Sequence, residues 1–357
     1  MVTYWLVFSF VAMLSFFERK QISIHLIRLS SIPVSWCFIW LVLVLVIGFR
    51  FEVGGDWGAY LRYLDRVADL SVTEALALKD PGYQMLNVFS QYVGGGIFSV
   101  NLMAATLFVT GLMVFCANQP RPMLALAVAF PYMVIVLSMG YTRQSIAIGL
   151  SMIAFYSLIH NSIYRFSFWL VLACLFHQSA ILLIPIGVML SNRNRILGYF
   201  LLALTLCGAY FILLQDSVDA LYYGYIESEY QSQGALVRVC MSVVPSLIFL
   251  TLKGSFDLQP NEKKLWTIFS FLSITCLILL YISSASTAID RVALYLLPLQ
   301  LVVFSHLPEV FGSKRKSNIQ WTSLVLFYCA LVQFVWLFYA QNAYAWLPYK
   351  FYPFLWL

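Results

Sequence analysis

Apolar runs recur along this chain at a length that water does not tolerate and a bilayer requires. Trp36 to Phe49, Leu201 to Leu214 and Ile268 to Ile282 are examples. With their flanks they approach the roughly 20 residues a helix needs to cross the hydrocarbon core. Closely spaced runs of this kind argue for a helical bundle over a barrel, whose strands alternate over about 10 residues. Composition agrees: 62% of residues are hydrophobic and 10% charged, against about 25% charged in soluble domains. The sequence therefore predicts an all-α integral membrane protein, a single polytopic domain over residues 1–357. About 10 to 12 transmembrane helices are expected, some of them broken or re-entrant. Thr3 to Phe17 has no basic segment before it and no small-residue cleavage site after it, so it reads as a retained helix. The seven cysteines all lie inside apolar runs and form no Cys-x-x-Cys pair, which marks them as small buried residues.

Basic residues cluster after alternate spans, and that alternation fixes orientation. Arg19, Lys20, Arg28, Arg121, Arg165, Arg193, Arg195, Lys253, Lys263, Lys264, Lys314, Arg315 and Lys316 are assigned to the cytoplasmic face. With Glu18, Asp257, Glu262 and Glu309 they give that face a charge of +9. The remaining eight basic and eleven acidic residues leave −3 on the outer face. The overall +6 is thus a polarised membrane charge and no sign of nucleic-acid binding. Two polar loops are assigned to the outer face: 52–81, with an amphipathic helix, and 215–234, rich in tyrosine (Tyr222, Tyr223, Tyr225 and Tyr230). The stretch from Arg165 to Arg193 is basic at both ends yet too short for two spans. It is expected to enter as one half-helix, turn near Phe176-His177-Gln178 and return as another, which puts His177 at a functional depth. One long tilted helix is the plainer alternative.

Three arginines stand at outer membrane boundaries: Arg50, Arg143 and Arg291. Each has a plain reading, snorkelling to the interface. Each also lies beside a helix-breaking or capping sequence, and helix starts with their free amides and positive dipole end suit anions. Arginine's planar fork fits phosphate oxygens. Gly54-Gly55 permits a sharp turn, and Asp56 is placed to cap the helix that follows; Glu52 is placed to pair with Arg50. Thr287-x-x-Asp290 matches a capping box. No Asp-x-Asp, His-x-x-x-His or Gly-x-x-x-x-Gly-Lys pattern offers a metal or nucleotide site, so neither metal nor cofactor is expected.

The same residues carry a resemblance. Gly48-Phe-Arg50-Phe-Glu52-Val-Gly54-Gly55-Asp56-Trp57-Gly-Ala-Tyr60 resembles the signature of EpsG/Wzy-type polysaccharide polymerases. It is followed in order by Pro81-Gly82-Tyr83 with Leu86-Asn87, by Met139-Gly140-x-x-Arg143-Gln144, and by Phe176-His177-Gln-Ser179-Ala180. The likeness runs to about Pro185 and continues only loosely through Asp290-Arg291; Trp57 stands where Tyr is more usual. The resemblance implies a GT-C-like glycosyltransferase of the bacterial inner membrane with its active site on the periplasmic face. It would join undecaprenyl-pyrophosphate-linked oligosaccharide repeat units, donor and acceptor alike, beside a chain-length regulator protein. In that chemistry Arg50, Tyr60, Arg143, Gln144, Asp290 and Arg291 are expected to bind pyrophosphate or sugar. Asp56, then His177 and Glu52, are candidates for the base that activates the acceptor hydroxyl. An O-antigen ligase-like transferase and a flippase or transporter for lipid-linked sugars are the competing readings.

Overall fold

The computed structural model describes residues 1–18, 33–190, 234–282, 286–312 and 318–355. In chain order its helices are α1 (Val2–Phe16), α2 (Val34–Gly48), α3 (Trp57–Ala68), α4 (Val72–Leu76), α5 (Pro81–Val93), α6 (Gly96–Ala117), α7 (Pro122–Ala129), α8 (Ser138–Gly140), α9 (Thr142–Ile159), α10 (Ile163–Phe176) and α11 (Ile184–Leu190). Beyond residue 234 come α12 (Ala235–Leu252), α13 (Pro260–Ile282), α14 (Ser286–Ala293), α15 (Pro298–Phe311) and α16 (Ile319–Tyr339). Among the described residues five helical segments are long and apolar enough to cross a membrane: α6, Pro122–Gly140, α12, α13 and α16. The bent pair Ser286–Leu296 and Pro298–Phe311 makes six. Shorter apolar helices at Val2–Phe16, Val34–Gly48, Ile163–Phe176 and Gln178–Leu190 accompany them. This is an all-helical, multi-pass membrane protein. The tyrosine-rich 215–234 loop lies outside the described residues, apart from Gly234.

The chain divides into two compact units. The first comprises Met1–Leu150, Leu175–His177 and Ser305–Leu357. In lipid there is little hydrophobic drive between helices, so close backbone approach takes its place. Gly111 of α6 and Gly149 of α9 provide it: a Cβ on Gly111 would collide with the Gly149 carbonyl. Pro122–Gly140 is irregular, with a π-helical turn over Phe130–Leu137 between α7 and α8. Non-helical backbone at this depth must find partners inside the protein. Here the Trp346 indole N–H donates to the Ile135 carbonyl at 3.0 Å. The α7 start is satisfied from far along the chain, where the Glu18 carboxylate accepts from the Met123 and Leu124 amides at 3.0 and 3.3 Å. Burial pushes that carboxyl up to about 7, against the opposing pull of those amides and of Arg121. Arg121, fully buried, pairs with Glu309 at 2.8 Å and donates to Thr322 at 3.2 Å.

The second unit comprises Ser151–Cys174 and Gln178–Phe304. Its described core is aromatic, with Phe155 edge-on to Phe269 and Trp266 on the same face of α13. Arg238 of α12 forks onto Asp290 of α14 at 2.6 and 2.7 Å.

Among the described residues ion pairs join Arg121 to Glu309, Arg143 to Asp80, Arg238 to Asp290 and Lys350 to Glu52. Each joins two residues that the charge pattern assigns to the same face, and none of the four bridges opposite faces.

Candidate functional site

Arg50 ends the first apolar span of the motif region, and its environment differs from the expected open anion hook. The chain there is extended and bridges antiparallel to Phe351. The Phe51 amide donates to the Lys350 carbonyl at 3.0 Å and the Tyr352 amide to the Phe49 carbonyl at 2.9 Å. The Arg50 side chain is 0% exposed. Its two Nη atoms donate to the Ile47 carbonyl at 2.7 Å, to Asn101 Oδ1 at 2.9 Å and to Thr142 Oγ1 at 2.8 Å. Burial lowers its pKa to about 10, with Tyr60, Tyr83, Tyr349 and Tyr4 offsetting, so it stays protonated. Each hydrogen bond from a charged donor contributes roughly 1.5–3 kcal/mol, which offsets several kcal/mol of desolvation. Enclosed this way, Arg50 ties α2, α6 and the start of α9 together. The expected Arg50–Glu52 pair does not form. Glu52 is exposed, sits at φ 52°, and pairs with Lys350 at 2.6 Å.

Two residues on, Gly54 adopts φ 107°, and a Cβ there would strike the Met139 carbonyl. Only glycine lets the loop lie on the Met139–Gly140 break, where the Gly54 amide donates to the Ala345 carbonyl at 2.8 Å. Asp56 then occupies the N-cap position of α3, but its side chain makes no capping hydrogen bond and it is exposed. One turn later Tyr60 is buried, hydrogen-bonded by the Thr142 side chain and the Arg143 backbone. Burial raises its phenol above the ordinary value, and the Asp56 carboxylate raises it further.

Arg143 is the second residue of α9 and, at 21% side-chain exposure, reaches solvent. Its guanidinium lies 4.8 Å from the Tyr63 ring centroid, donates to Asp80 at 2.6 Å and contacts the Tyr63 hydroxyl at 3.3 Å. Asp80 is 1% exposed and left-handed, with φ 57° and ψ 62°, at the start of α5. Tyr83 stands one turn into α5, 5.6 Å from Tyr60 and 6.4 Å from Tyr63 between ring centroids. Gln144 is buried beside this cluster in sequence. Asp80 and Tyr63 were not among the expected site residues. Asp80 immediately precedes the Pro81-Gly82-Tyr83 motif, and that adjacency was the available signal. Tyr63 falls at the i+3 position from Tyr60 on the amphipathic α3, which brings both rings to one side.

His177 lies where α10 ends, in a break before a 3-10 turn over Gln178–Leu183, and is partly exposed. The break stands at the expected place. Leu175 to His177 belong to the same compact unit as Arg143. There Gly82 of α5 packs so closely on Leu175 that a Cβ would meet its carbonyl at 3.0 Å.

Asp290 and Arg291 belong to the second unit. Thr287 and Asp290 both lie inside α14, and the Asp290 carboxylate pairs with Arg238. Arg291 is in the last turn of α14 and not at a helix start. The next longer helix begins at Pro298, whose missing N–H suits a first turn. Among the described residues no three His, Cys, Asp or Glu side chains are grouped to hold a metal ion.

A model of the EpsG family matches residues 33–351. The chain belongs to the EpsG family. The match spans both compact units and reaches the C-terminal strap that bridges Arg50, well past Pro185 where the legible motifs thin out. EpsG membership places the chain among membrane proteins resembling exopolysaccharide and O-antigen polymerases. Comparison with curated proteins and with solved structures finds no match.

Proposed function

We propose that this EpsG-family chain is a GT-C-like glycosyltransferase that polymerises undecaprenyl-pyrophosphate-linked repeat units on the periplasmic face of the bacterial inner membrane. The observation that carries the reading is Arg143, a guanidinium that reaches solvent at the start of α9 in a cluster of tyrosines and buried polar groups. The acceptor hydroxyl oxygen bonds to the donor's anomeric carbon as the bond from that carbon to pyrophosphate breaks. The leaving lipid pyrophosphate gains negative charge, and Arg143 is assigned to meet it. The hydroxyl proton passes to a carboxylate or imidazole, for which Asp56 is the first choice and His177 and Glu52 follow. Asp56 supports that role by being exposed, uncommitted to capping, and electrostatically coupled to Tyr60 in the Arg143 cluster. Tyr63, partly exposed, offers a face and a hydroxyl for sugar, with the buried Tyr60 and Tyr83 rings packed behind it. Asp290 and Arg291 remain assigned to substrate as well. Charge neutralisation by arginine makes the reaction metal-independent in this reading, and a separate chain-length regulator is the expected partner. Sidedness rests on the polarised charge and on ion pairs that respect it.

The experiment replaces Arg143 with Lys in a cell that makes the polysaccharide. Lysine keeps the charge but loses the planar fork. Single repeat units should accumulate at normal protein level. Full-length polymer from Arg143→Lys would reduce the arginine to an interfacial anchor.

A further inference from the structure

Arg143 uses its fork unevenly. Asp80 Oδ2 takes one Nη at 2.6 Å, the Tyr63 hydroxyl takes the other at a long 3.3 Å, and the buried Nε has no partner. Around it, Arg50 Nε, Asn101 Nδ2 and the Tyr83 hydroxyl are also buried and unpartnered. Arg50 itself bonds only to carbonyl, amide and hydroxyl oxygens. Of these two guanidinium groups only Arg143 bonds to a carboxylate, that of Asp80. Buried groups left this way call for an occupant rich in oxygen. Asp80 meanwhile holds a left-handed backbone, which Asp and Asn adopt more readily than other non-glycine residues. Its carbonyl accepts the Tyr83 and Gln84 amides at 2.9 and 3.2 Å, which anchor the turn.

We propose that Asp80 is an internal stand-in for phosphate. In the substrate-free chain its carboxylate holds Arg143 in place, and the pyrophosphate of the lipid-linked substrate takes over that guanidinium on binding. Asp80 is thus a positioning residue that acts through Arg143, and the proposal rests on the reading of Arg143 as the pyrophosphate residue. A phosphate engages the fork in bidentate fashion, where Asp80 Oδ2 engages a single Nη.

The test is calorimetric binding of inorganic pyrophosphate to the purified full chain in detergent. Asn adopts the left-handed region readily, so Asp80→Asn keeps the turn and removes only the competing charge. If the Asp80-bound state outnumbers the open one by about ten to one, Asp80→Asn binds pyrophosphate about tenfold more tightly. Arg143→Gln should abolish binding in either background. Equal or weaker binding by Asp80→Asn, with wild-type binding still dependent on Arg143, overturns the stand-in and leaves the arginine reading intact. No binding by wild type and Asp80→Asn alike overturns the arginine reading and the stand-in with it.

Discussion

At the scale of residues, Asp56 offers the sharpest choice between roles. Its backbone occupies the N-cap of α3 while its side chain leaves the cap unmade, so capping contributes little through that carboxylate. Asp56→Ala removes no capping bond, so it should cost less than the about 1 kcal/mol that loss of a cap carries. Asp56→Asn should keep the fold and lose turnover by roughly 10²-fold or more, because an amide takes up no proton. Thermal melting and initial rates of polymer formation measure the two; an active Asn variant moves the base to His177 or Glu52. Motif spacing made Arg50, Asp56, Tyr60 and Arg143 legible as one neighbourhood, since each sits at a break or helix start that sequence marks with Gly or a capping residue. It did not reveal that Arg50 faces inward, because burial depends on Asn101 and Thr142, which lie 51 and 92 residues away. Nor did it reveal Asp80, which pairs with Arg143 across 63 residues.

At the scale of elements, the site depends on irregular pieces held from a distance. The break at His177 is legible because basic flanks leave too few residues for two spans. The C-terminal strap is not legible, because backbone bridging to Phe49 and Phe51 has no side-chain signature. That strap clamps the Gly54 loop through Ala345 and fills the space at Gly140 with the Trp346 ring. Gly54→Ala places a Cβ on the Met139 carbonyl at a backbone angle unfavourable to alanine. It should cost more than about 1 kcal/mol by thermal melting, because a non-glycine residue at positive φ is penalised even without a clash. Polymer yield per folded molecule should fall too, since the same loop carries Asp56. A Gly54→Ala variant with unchanged melting would mean the loop does not depend on the Met139 contact.

At the scale of the whole molecule, multi-pass membrane character was readable because a bilayer demands long apolar runs. The proposed sidedness rests on the polarised charge and on ion pairs that respect it. Which spans are whole and which are bent was less readable, because a bend such as the 43° one between Ser286–Leu296 and Pro298–Phe311 keeps the composition of a straight span. We propose that this chain, with its own arginines and no metal, joins lipid-linked repeat units. Purified full-length protein in detergent, given undecaprenyl-pyrophosphate-linked repeat units and excess EDTA, tests it directly on a gel of the products. The account predicts a ladder of increasing length. Units that stay single, or a ladder that vanishes with EDTA and returns with Mg²⁺, would contradict it.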